Sequence, residues 1–85
     1  MLLKNSDLMK VSVLTFGEVA DIVNASSFDL KDVEDTDTLK QLLEDKFPRL
    51  KETRYAVAVD KKIVNQNVTL EDASIVALLP PFSGG

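Results

Sequence analysis

The sequence closes with Gly84 and Gly85 behind Pro80, Pro81, Phe82 and Ser83, and this ending is where the residue types point to chemistry. Two residues without a Cβ pass through a channel too narrow for any other pair, so the carboxyl of Gly85 is expected to reach a partner's buried active site. The prolines lack an N–H and hold φ near −65°, so they should leave a strand as a stiff, polyproline-like spacer. Extended chain from Pro80 to Gly85 spans roughly 20 Å at about 3.3 Å per residue, enough to enter another protein. The plain alternative is a frayed polar terminus, since chain ends are rich in such residues. Against it stands the direct passage from Ile75, Val76, Ala77, Leu78 and Leu79 into the tail, with no linker between. A terminal carboxyl has a pKa of about 3.3–3.7, so at neutral pH it is an anion that resists nucleophilic attack and has to be activated.

The rest of the chain offers little chemistry of its own. Its 85 residues include no histidine and no cysteine. The usual general base, the Ser-His and Cys-His nucleophiles, the commonest zinc ligands and any disulfide are therefore missing. Carboxylates remain, but independent catalysis is not expected. Fourteen acidic against ten basic residues give a net charge of −4, the wrong sign for binding a phosphate backbone. The acidic run Asp29, Asp32, Glu34, Asp35 and Asp37 matches no calcium-loop spacing and reads as a solvated face with a helix cap. The longest apolar stretch, Ile75 to Leu79, is far short of the roughly 20 residues that span a bilayer, and a cytoplasmic location is expected.

The elements that must position the tail follow from periodicity. A chain of this length forms one domain, burying somewhat over 60% of its unfolded surface. Residues 1–8 carry no strand signal and are expected to be a loose extension. Met9 to Phe16 alternates as a strand, with Lys10, Ser12 and Leu14 between Val11 and Val13, and Gly17 ends it. Glu18 to Val23 predicts a short helix ended by Asn24, and Ser26 to Val33 a second strand with Phe28 and Leu30 inward. The main helix is predicted from Asp35 or Thr36, either a fitting cap, to Pro48, with Leu39, Leu42, Leu43 and Phe47 as one apolar stripe. Tyr55 to Val59 is a strand with Tyr55, Val57 and Val59 on one face. A turn at Asp60, Lys61 and Lys62 leads to Ile63 and Val64, and Ser74 to Leu79 forms the last strand.

That last strand is apolar on both sides. If Val76 and Leu78 face the helix, then Ile75, Ala77 and Leu79, with Ala56, Ala58 and Ile63, form an exposed apolar patch beside the exit of the tail; such patches mark interaction sites. A strand buried on both faces, or an ordinary scatter of apolar residues on the surface, is the alternative.

The segment DASIVALLPPFSGG, Asp72 to Gly85, resembles the end of the small, sulfur-carrying subunits of molybdopterin synthase, one of the ubiquitin-like sulfur-carrier families, and FGEVADIVN, Phe16 to Asn24, resembles their first strand end and short helix. The resemblance implies an α+β fold of ubiquitin-like β-grasp type, a mixed sheet packed on one main helix over residues 9–79, with 80–85 as an extended tail. It implies a carrier subunit that is not an enzyme alone and binds no cofactor. A separate adenylating enzyme, using ATP and Mg, would activate Gly85, and a sulfur donor would convert it to a thiocarboxylate. The tail would then enter the large synthase subunit, with Gly84 giving clearance and Pro80, Pro81, Phe82 and Ser83 setting reach. Ile63, Ile75, Ala77, Leu79 and Phe82 become partner contacts. Where many such chains carry a basic residue after the first strand, this one has Ala20, which removes an ion pair to a partner there. A carrier for thiamin synthesis or tRNA thiolation, or a protein modifier joined to lysines, shares the same activation chemistry.

Overall fold

Along Lys10–Thr15 the small and β-branched side chains Val11, Val13 and Thr15 alternate with Lys10, Ser12 and Leu14. In the computed structural model, which describes residues 9–81, this segment is strand β1, and the first three of those side chains are buried. Helix α1, Gly17–Val23, follows at once and buries Val19. It stops because Asn24 takes a left-handed conformation (φ 63°) and turns its N–H back to the Ala20 carbonyl. Strand β2, Ser27–Lys31, then returns antiparallel to β1, setting Leu30 opposite Val11 and Phe28 opposite Val13.

Helix α2, Thr36–Lys46, is capped at both the side-chain and the long-range level. The Asp35 carboxylate accepts the Thr38 N–H at 2.8 Å, and the Asn67 side-chain oxygen accepts the Asp37 N–H at 2.8 Å. The second bond ties the polar stretch ahead of the last strand to the start of the helix. Thr36 N–H to Val68 O and Leu70 N–H to Glu34 O reinforce it. Leu39 and Leu43 are buried, and Phe47 packs on the core at the helix end. Leu42 departs from the expected stripe: it is 46% exposed, because Leu39 and Leu43, one turn apart, face the sheet and Leu42 lies about 100° round the helix from Leu43. A short 3-10 turn, Pro48–Glu52, which the pattern does not predict, inserts Leu50 completely into the core.

Strands β3, Ala56–Val59, and β4, Lys62–Val64, form a hairpin joined by Asp60 and Lys61. Both of these residues hold positive φ, 48° and 76°, as a two-residue turn of the primed kind requires. Strand β5, Ile75–Leu79, inserts between β1, to which it is parallel, and β3, to which it is antiparallel. The five-stranded sheet thus runs β2-β1-β5-β3-β4. Val11, Val13, Val57, Val59, Val76 and Leu78 share one core with Leu39 and Leu43 of α2, together with Val19, Val33, Leu50 and Leu70. A mixed sheet with its main helix over one face is the ubiquitin-like β-grasp arrangement that the resemblance implies.

Candidate functional site

Parity along the strands decides what the other face of the sheet carries. Val76 and Leu78 are wholly buried, so Ile75, Ala77 and Leu79 point to the side away from α2. The registers place their neighbours. Ile63 lies opposite Ala58, Ala58 opposite Ala77, and Ala77 opposite Leu14, a single apolar row across four strands. Leu79 lies opposite Ala56, and Ile75 beside Ser12. Ile63 is 44% and Ile75 47% exposed; Leu14, Ala56, Ala77 and Leu79 are half-buried, and Ala58 is buried. Phe16, on the same parity as Leu14, is 45% exposed. Apolar side chains left this open on one contiguous face form the kind of surface that partners cover.

The tail begins at the edge of that face. Thr15 pairs with Leu78, and the Phe16 N–H donates to the Leu78 carbonyl at 3.2 Å. There β1 turns away at Gly17, which holds φ at 58°. Past Leu79, Pro80 and Pro81 lie exposed. A Cβ placed on Gly17 would stand 3.0 Å from the Pro80 Cγ, so the proline ring rests almost directly on the glycine backbone.

Of the residues singled out from the sequence, Ile63, Ile75, Ala77 and Leu79 thus lie together on the far face, with Pro80 and Pro81 leading away from it. Phe82, Ser83, Gly84 and Gly85 lie outside the described residues, as does the expected extension 1–8. Leu14, Phe16 and Gly17 were not among the site residues read from the sequence. The signal was present in Leu14 and Phe16, two apolar residues at the period of a strand on the parity assigned to solvent.

Several other polar side chains hold the fold. Thr15 and Ala25, Ser12 and Asp29, and Lys10 and Asp29 pair along the β1–β2 side. The Tyr55 hydroxyl donates to Glu44 at 2.8 Å under the Lys40 ammonium. Burial, and then the hydrogen bond and charge of Glu44, push that hydroxyl's pKa upward. At Asp35 the hydrogen bonds from Thr38 hold the carboxyl below its ordinary value. A polar cleft of about 300 Å³ opens beside Tyr55, Lys40 and Thr36, but the Thr36 hydroxyl already donates to Asn67 and accepts from the Val68 N–H. Among the described residues no three potential metal ligands come together. No helix among them is long and apolar enough to cross a membrane.

The ThiS family profile matches residues 13–85. Solved structures share the fold. A Pyrococcus furiosus protein provisionally named molybdopterin converting factor, subunit 1, superposes with a TM-score of 0.77 at 19% identity, over 87% of this chain and 99% of its own. The small archaeal modifier protein 1 of Methanosarcina acetivorans superposes with a TM-score of 0.74 at 20% identity, over 91% and 97% of the two chains. A chain from the complex of subunits 1 and 2 of the molybdopterin-converting factor of Helicobacter pylori is 26% identical, with a TM-score of 0.67, over 91% of this chain and 100% of that one.

Proposed function

The chain belongs to the ThiS family, and from that premise we propose that it is a sulfur carrier for molybdenum cofactor synthesis, charged at Gly85 and discharged in a large synthase subunit. The observation that carries this reading is the placement of the chain's exit at Pro80 on the border of the apolar far face. A partner that covers Ile63, Ile75 and Leu79 receives the tail in the same encounter. The Helicobacter protein of the same fold, found in a complex of two subunits, supports a protein partner of this kind. The ending PPFSGG favours the molybdopterin branch over thiamin synthesis or tRNA thiolation.

The chemistry proceeds in four steps. A partner adenylating enzyme with ATP and Mg joins AMP to the Gly85 carboxylate and releases pyrophosphate. Hydrosulfide from a sulfur donor attacks the acyl carbon, AMP departs with the former carboxylate oxygen, and a thiocarboxylate remains. In the large subunit the thiocarboxylate sulfur attacks a carbon of the cofactor precursor, an oxygen leaving group departs from that carbon, and a thioester joins Gly85 to the precursor. Water then cleaves the acyl–sulfur bond and restores the carboxylate. With no cysteine in the chain, sulfur has no other residue to ride on.

Intact mass spectrometry tests the sequence of events. Incubation with the adenylating enzyme, ATP, Mg and sulfide is expected to exchange one terminal oxygen for sulfur, and adding the large subunit and precursor should reverse the exchange with sulfur in the product. Charging without discharge in the large synthase subunit would assign the carrier to another pathway. Isopeptide bonds to target lysines in place of sulfur transfer would make it a modifier, and no charging at all refutes both.

A further inference from the structure

Stiffness and direction are separate requirements for a tail that must thread a partner, and the two prolines supply only the first. Pro80 and Pro81 fix their own φ, but what they rest on decides where they point. The last bond between β1 and β5 is that of the Phe16 N–H to the Leu78 carbonyl, after which the strands part. Beyond that point the Pro80 ring stands against the bare Cα of Gly17. Resting on the carrier function proposed above, we infer that Gly17 is a positioning residue, the seat on which the Pro80 ring fixes the bearing of the tail.

The seat exists because Gly17 is glycine on two counts. Its φ of 58° lies in the left-handed region that side chains disfavour, and a Cβ would approach the Pro80 Cγ to 3.0 Å, where the neighbour must give by a few tenths of an ångström. Pro80 is the part that gives, since it is exposed and beyond the sheet, whereas Gly17 is the first residue of the helix that buries Val19. A shift of that size over one Cα–Cα step of about 3.8 Å turns the chain at Pro80 by roughly 5°, and the tail starts from that changed direction. Misdirection of this size burdens entry into the partner. Once the carboxyl is bound, the reacting atoms are unchanged.

The test uses the full chain. Gly17→Asn keeps a residue tolerant of left-handed φ while adding the Cβ, and Gly17→Ala adds both the Cβ and the strain. Asn24→Ala is the control: it disturbs the left-handed residue at the far end of the same helix and leaves Pro80 alone. In Cα–Hα residual dipolar couplings, both Gly17 variants are expected to rotate Pro80 and Pro81 relative to β5, and Asn24→Ala is not. In adenylation by the source organism's ubiquitin-activating-like enzyme with ATP and Mg, the Gly17 variants should raise KM for the carrier about tenfold with kcat within about twofold. Joining Pro80→Ala, which removes Cγ, to Gly17→Asn should bring KM to that of Pro80→Ala alone. Unchanged couplings in Gly17→Asn, or an equal rise in KM in Asn24→Ala, overturns the inference. Should the wild-type chain not be adenylated, the carrier reading falls, and the couplings alone decide whether Gly17 sets the bearing.

Discussion

Lys61 is held at φ 76° in the two-residue turn between β3 and β4, where its side chain is exposed and its backbone is strained. Left-handed conformation costs a residue with a Cβ about 1 kcal/mol or more, and the second position of a primed turn favours glycine. Lys61→Gly is therefore expected to raise stability by roughly 0.5–1 kcal/mol, the relief of strain exceeding the added freedom of the unfolded chain. Chemical denaturation measures it, and a loss of stability would mean that the lysine makes a contact worth more than the strain. Such positions were only partly legible in the sequence. Asp60, Lys61 and Lys62 read as a turn between apolar runs, but nothing in their types says that two of them adopt positive φ. Gly17 likewise reads as the end of a strand, because the proline that rests on it is 63 residues away in sequence and only the folded chain brings the two together.

At the scale of elements, alternation was the legible signal wherever a strand has one buried face, and β5 was the informative exception. Its two apolar sides were readable, and the structure assigns them: Val76 and Leu78 to the core, Ile75, Ala77 and Leu79 to the far face. Leu78→Asp should therefore unfold the domain, since a buried charge without a partner costs several kcal/mol. Leu79→Asp should stay folded and weaken association with the proposed partner, the large synthase subunit, at least roughly thirtyfold, the scale of an interface hot spot. Thermal melts and titration calorimetry on the pair read both effects, and a folded Leu79→Asp that binds normally would move the docking surface elsewhere. Helix α2 was legible from its caps and stripe, except at Leu42, because periodicity gives the direction of the apolar face and not how wide a sheet it covers. Its cap yields a pH dependence. Asp35 is held below its ordinary value of 3.8, so its contribution is complete above that pH and is lost as pH falls through the lowered folded value. Asp35→Asn, which retains a capping oxygen without the charge, should shallow the loss of stability on acidification below about pH 4 and leave neutral pH nearly unchanged. An identical acid slope in both proteins would assign acid sensitivity to other carboxylates.

Across the whole molecule, the last strand in sequence is the central strand in space. β5 bonds to β1 on one side and β3 on the other, while β2 and β4 form the edges. Amide exchange should follow: Val76 to Leu78 slowest, at the rate of global opening, and Lys62–Val64 much faster. A reversed order would show that the hairpin, not the central strand, is the most stable unit. The sequence did not disclose this order, since strand neighbours distant along the chain are chosen by the shape of the shared core. The placement of β5 also governs how the protein bears a pull. A partner that draws on the tail pulls β5 along its own axis, and because its flanks are hydrogen-bonded to β1 and β3 along their length, those bonds are loaded together in shear. An edge strand would peel away one bond after another. Under the function proposed above, the protein would be drawn by its end from one partner to the next without the sheet coming undone.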